Sequence, residues 1–152
     1  LAPAPDPTRC SEPVSALDLS SQAPILNLLV GMKRELGLSY LFISHDLSVI
    51  RYFADRVLVM YLGRIVESGD HRRLYERPLH PYTRLLLAAV PDAARGRETA
   101  GVSGELPSAS NLPSGCRFHP RCPLATDLCR REDPALRELA PGRSVACHHA
   151  EI

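Results

Sequence analysis

From Ser21 to Leu36 the apolar residues Ile25, Leu29, Met32 and Leu36 recur at intervals of three or four, the spacing that lines one face of an α-helix. Pro24 then falls in the first turn, where its missing N–H costs little. The period changes at Tyr40. Tyr40 to Ser44 is a short apolar run that predicts a buried strand, Leu47 to Ala54 a short helix, and Val57 to Tyr61 another strand. Gly63 turns the chain into Arg64 to Glu67, which predicts a hairpin. Asp70 is placed to cap a helix carrying Leu74 and Tyr75, and Pro81 suits the first turn of a further helix over Tyr82 to Val90. Residues 1–10 hold three prolines and no strand pattern. Residues 91–114 are rich in Gly, Ser, Ala and Pro, too poor in apolar surface to offset chain entropy, and read as a mobile or irregular linker.

Three short runs carry the candidate chemistry: Glu12, the run Ser15 Ala16 Leu17 Asp18, and the tetrad Ile43 Ser44 His45 Asp46. A glutamate before a tight turn, then amphipathic helix and apolar strand, then a histidine at the strand's end is how phosphate-handling α/β proteins place their groups. Both side chains are expected at one sheet edge. Taken alone, Glu12 is an ordinary solvated turn residue, His45 a satisfied structural group, and Asp18 or Ser20 a helix N-cap.

Taken together, EPVSALDLSSQAPILNLL and YLFISHDLSVIRYFADRVLVMYLGRIVESGD resemble the second half of an ABC-type ATPase domain. HPYTRLLLAAVP and PSGCRFHPRCP resemble the C-terminal extension of ATP-binding subunits from oligopeptide and dipeptide importers. The resemblance implies an α/β fold: the sheet-and-helix half of a P-loop ATPase over residues 1–69, followed by an irregular, cysteine-rich, metal-binding extension over 70–152. Within that extension it places helices at 70–90, the linker at 91–114 and the cysteine segment at 115–149. It implies that Glu12 is the general base polarising the attacking water, that His45 reads the terminal phosphate, and that Ser15 and Asp18 belong to a loop crossing to a partner's nucleotide site. The family carries aspartate before the glutamate, to hold Mg²⁺ through water. Here Ser11 brings one neutral oxygen.

No GxxxxGK run followed by Ser or Thr occurs, nor an LSGGQ-like signature, so the phosphate cradle that such an ATPase needs is expected elsewhere. The chain therefore resembles the C-terminal half of a protein, and is expected to be inactive as an ATPase alone. The net charge of +1 is not arranged in basic blocks with interleaved aromatics, which gives no case for nucleic acid. No run of 18 apolar residues is present to span a bilayer, and the first ten residues lack the order of a signal peptide.

Cys116, Cys122, Cys129 and Cys147 share one short polar segment, with Cys10 apart. Four thiols where apolar content is low point to a cross-link by metal, with a disulfide pair as the competing reading. The intervals of five, six and seventeen residues contain no CxxC knuckle, and a cubane holds its thiolates further apart than one zinc ion does. Family resemblance also implies an iron–sulfur centre of the 4Fe–4S type; zinc is the alternative, with His119, His148 or His149 as further ligands.

The expected function is the C-terminal part of the energy-coupling ATPase subunit of a peptide importer, using ATP and Mg²⁺ in the complete protein. The alternative is a stand-alone, non-catalytic, metal-binding interaction or regulatory module. Expected partners are a second ATP-binding subunit, two transmembrane permeases and, indirectly, a peptide-binding protein, at the cytoplasmic face of the membrane.

Overall fold

In the computed structural model, residues 8–12, 19–89 and 112–151 are described. They belong to two compact units, residues 1–54 and 55–152.

In the first unit, strand β1 (Thr8–Ser11) lies parallel to β2 (Tyr40–Ile43), with Thr8 opposite Tyr40 and Ser11 opposite Ile43. A strand at Thr8–Ser11 corrects the expectation of none. Pairing supplied by β2 overrides the weak local propensity of TRCS, and amides at both ends join the ladder: Thr8 to the Ser39 carbonyl and Glu12 to the Ile43 carbonyl, each at 2.8 Å.

Helix α1 spans Leu19–Leu36 and α2 spans Leu47–Phe53. Because α1 begins at Leu19, Pro24 sits inside it and not in its first turn, removing one intrahelical hydrogen bond. The expected apolar stripe is also only partly used. Leu26 is the buried position, packed with Val49, Ile25 and Phe42, while Leu36 remains 62% exposed. Tyr40 and Phe42, on the same side of β2, place their rings 5.5 and 4.8 Å from that of Phe53, and Tyr52 donates to Asn27 at 2.6 Å to tie α2 to α1.

The second unit is an antiparallel sheet in the order β3-β4-β6-β5. It comprises β3 (Arg56–Tyr61), β4 (Arg64–Asp70), β5 (Arg137–Ala140) and β6 (Arg143–Val145). Leu62 and Gly63 join β3 to β4 with φ of 44° and 77°, the positive pair that a tight hairpin turn of the mirror type requires.

Helix α3 (His71–Glu76) is capped by Asp70, whose Oδ1 accepts the amides of Arg72 and Arg73. Helix α4 (Pro81–Ala88) and α5 (Asp127–Arg131) follow. Val59, Tyr61, Val66, Leu74 and Phe118 form the main core, and Leu79, Val145, Cys147 and Ala150 a second cluster. The cysteine segment is thus less irregular than expected, because β6 pairs with β4: Glu67 lies opposite Val145 and Ser68 opposite Ser144. Residues 1–7 and most of the expected linker, 91–111, lie outside the described residues.

Candidate functional site

The parallel pairing of β1 and β2 ends both strands at one edge. Glu12 follows β1 with φ of 47°, a left-handed backbone that costs a non-glycine residue about 1 kcal/mol. His45 follows β2. Glu12 Oε1 and His45 Nδ1 stand 3.1 Å apart, with the carboxylate side chain 50% and the imidazole 75% exposed.

Neighbouring residues explain why His45 is the one projected outward. The Ser44 hydroxyl accepts the Asp46 amide at 3.0 Å, and Asp46 Oδ1 accepts the amides of Ser48 and Val49 at 2.8 and 3.3 Å, capping α2. Ser44 and Asp46 hold the turn. With Nδ1 engaged by Glu12, Nε2 is the ring nitrogen left to address a ligand oxygen. Ser11, exposed at the end of β1, sits opposite Ile43. Ser15 and Asp18 lie outside the described residues.

A second polar centre was missed in the sequence because its carboxylate reads as one more strand residue. Glu67 is 0% exposed. Its Oε1 accepts the Leu79 amide at 2.9 Å and its Oε2 the His80 amide at 2.8 Å, while Arg143 approaches Oε1 at 3.4 Å. Arg143 also donates to the Arg77 carbonyl. A charge in the apolar run IVES, with a helix-starting His-Pro 13 residues on, was the available signal.

His80, 1% exposed, caps α4 by accepting the Tyr82 amide at Nδ1, 3.0 Å away. Burial pushes its imidazole down to about 4, opposed by a hydrogen bond to the Ala146 backbone and reinforced by Arg84. The ring is neutral and its remaining N–H serves the Ala146 carbonyl. Pro81 opens the helix, and the Tyr82 ring packs 4.6 Å from Tyr61 and 5.5 Å from Phe118. The HPYT tetrad is therefore a structural clasp between β4, α4 and the segment before Cys147.

Cys129 and Cys147 are buried, Cys116 and Cys122 half-buried, and all are free thiols. The Cys116 amide donates to the Cys129 carbonyl at 2.8 Å. Gly115 permits this approach: its φ is 64°, and a Cβ there would lie 2.5 Å from the Cys129 carbonyl oxygen.

Burial pushes the thiols of Cys116, Cys122 and Cys147 up, with neighbouring cysteines of the set adding to each. Backbone hydrogen bonds from Phe118 and His119 to Cys116, from Leu124 to Cys122, and from His149 and Ala150 to Cys147 oppose that rise. Cys129 Sγ lies 3.4 Å from His149 Nε2 and 3.5 Å from the Thr126 hydroxyl. Yet among the described residues no group of three or more His, Cys, Asp or Glu side chains is gathered to hold a metal ion. The expected metal centre is not supported by the side-chain arrangement.

Residues 66–129 match the family described as the oligopeptide/dipeptide transporter, C-terminal region. The chain is 56% identical over 139 residues to a probable peptide ABC transporter ATP-binding protein of Sinorhizobium fredii, a match covering 90% of this chain and 39% of the relative. It is 49% identical over 149 residues to the dipeptide transport ATP-binding protein DppF of Haemophilus influenzae, covering 97% and 46%. Against the oligopeptide transport ATP-binding protein AppF of Bacillus subtilis it is 52% identical over 141 residues, covering 90% and 43%. The chain thus spans less than half the length of these relatives. Among the described residues no helix is long and apolar enough to cross a membrane. Over most of its length the chain is similar to ABC-transporter ATP-binding proteins named for peptide transport, and residues 66–129 match the C-terminal region of the oligopeptide/dipeptide transporter family.

Proposed function

We propose that the chain is the C-terminal part of an energy-coupling subunit whose ATP hydrolysis drives import of peptides. The observation that carries this is the 3.1 Å contact between Glu12 and His45 at the paired ends of β1 and β2. Glu12 takes the proton of a water as its oxygen attacks the terminal phosphorus and ADP departs. His45, oriented through Nδ1, uses Nε2 to hydrogen-bond a terminal phosphate oxygen. Ser15 and Asp18 belong to a loop that reaches the nucleotide site of a second ATP-binding subunit. Where the family carries aspartate, Ser11 would offer Mg²⁺ only a neutral oxygen.

Partners in this proposal are a second such subunit, two permeases and a peptide-binding protein, with the subunit peripheral to the cytoplasmic face of the membrane. The test joins this chain to the preceding part of the Bacillus subtilis relative and co-expresses it with that relative's permeases in cells lacking their own subunit. Restored uptake of a labelled short peptide supports the proposal. A well-folded hybrid that hydrolyses ATP without any uptake would overturn it.

We also propose that Cys116, Cys122, Cys129 and Cys147 hold a 4Fe–4S cluster of structural role. In support, all four are free thiols, Cys129 and Cys147 buried and Cys116 and Cys122 half-buried, and the Cys116 amide donates to the Cys129 carbonyl at 2.8 Å. A cluster separates its thiolates more widely than one zinc ion does. Bound there, it would supply a covalent cross-link.

A further inference from the structure

A polar cleft of about 210 Å³ opens where Arg56 and Asp70, at the ends of β3 and β4, meet Arg73 of α3 and the turn Pro141–Gly142 between β5 and β6. Arg143 forms part of its wall; its Nη2 meets Glu67 and donates to the Arg77 carbonyl, while its buried Nε has no partner among the described residues. Arg56 gives one nitrogen to the Ser68 hydroxyl at 3.2 Å. Arg73 is an exposed side chain. Asp70 uses Oδ1 alone for both amides that it caps.

Arg56 and Asp70 are register partners across the strands, yet among the described residues no ion pair joins Arg56 or Arg73 to Asp70. Opposite charges held around a cleft without closing on each other match a ligand that carries both. A bare anion is disfavoured, because the carboxylates of Asp70 and Asp55 line the same space. The volume lies below the roughly 300–1,000 Å³ of sites for drug-sized ligands, which restricts the occupant to something small.

We propose that this cleft binds a small zwitterion, an amino acid or a dipeptide of small residues, with its carboxylate on Arg56 and Arg73 and its ammonium on Asp70. One wall comes from β3, β4 and α3 and the other from the β5–β6 turn, so a bound zwitterion pins the C-terminal hairpin to the rest of its unit. Sensing of an imported peptide through this site rests on the transport function proposed above. Binding itself does not, and a titration of the chain alone separates the two.

The experiment titrates the 152-residue chain with dialanine, with N-acetyl-dialanine amide and with inorganic phosphate, by calorimetry and by thermal unfolding. Dialanine is expected to bind saturably and raise the unfolding midpoint, whereas the blocked peptide and phosphate do neither. Arg73→Ala, and Asp70→Asn, which keeps a capping oxygen, should each weaken dialanine binding by about tenfold or more. Arg72→Ala, outside the cleft, should leave it unchanged. Absence of saturable binding below roughly 10 mM, or equal binding of phosphate or the blocked peptide, would overturn the proposal.

Discussion

Glu67 Oε2 accepts the backbone amide of His80 at 2.8 Å, with both side chains closed off from solvent. One carboxylate thereby fixes the entry to α4, and through the His80 ring the position of Ala146 beside Cys147.

Removing that carboxylate strands two buried amides and Arg143. Glu67→Ala is expected to destabilise the 55–152 unit by about 3–5 kcal/mol, and Glu67→Gln by about 1–3 kcal/mol, because a side-chain amide can accept from only one of the two N–H groups. Urea unfolding followed by tyrosine fluorescence measures it, the chain having five tyrosines and no tryptophan. A change under roughly 0.5 kcal/mol in the alanine variant, the scale of an ordinary surface substitution, would contradict the clasp.

The pH dependence follows from His80, lowered from 6.5 to about 4. Between those values the unfolded chain binds a proton that the folded chain does not, so stability falls as pH falls. The contribution is complete above pH 6.5, is lost on descending through that window, and amounts to about 3 kcal/mol. His80→Asn retains a capping acceptor but not the titration. Its unfolding free energy should therefore be flatter between pH 6.5 and 4 than that of the parent; parallel curves would remove His80 from the account.

Gly115 admits no side chain without displacing the backbone at Cys129 and Arg130. Gly115→Ala should therefore separate Cys116 from Cys129 and speed modification of the buried Cys129 thiol by a disulfide reagent. An unchanged rate of modification, with Cys129 followed by mass spectrometry, would show that the two segments are held together by other means.

For the cysteine set, anaerobic purification followed by iron, sulfide and zinc analysis is decisive. The proposal expects iron and sulfide in equal amounts, lost on Cys→Ser at Cys116, Cys122, Cys129 or Cys147 and retained on Cys10→Ser. Zinc without sulfide would replace the cluster with a mononuclear site, and no metal would leave the clasp and the β4–β6 pairing as what orders the segment.

Much of the order of elements was legible because it is written in local periods. The apolar run at Tyr40, the turn at Gly63, the Asp70 cap and the Pro81 helix start all sit within a few residues of where the pattern puts them. What was not legible depends on residues distant in sequence. Thr8–Ser11 becomes a strand only because β2 lies beside it, and Arg143–Val145, besides its hairpin pairing with β5, joins the rest of the sheet through the edge of β4. Glu67 followed the same rule: its place in the apolar run IVES hints at burial, but the partners that satisfy it lie 12 and 13 residues away. For Glu12 and His45 the spacing anticipated their proximity, since parallel strands joined by a helix end at one edge. Their chemistry required the neighbouring motifs.

The central claim, that Glu12 activates water for ATP hydrolysis, is tested most directly by the steady-state ATPase rate of the hybrid with the preceding part of the Bacillus subtilis relative. Glu12→Gln keeps the size and the contact with His45 but removes the base, and is predicted to lower the rate by roughly 10²–10⁴-fold with ATP binding retained. A Glu12→Gln hybrid that turns over ATP at the parent rate would contradict the claim.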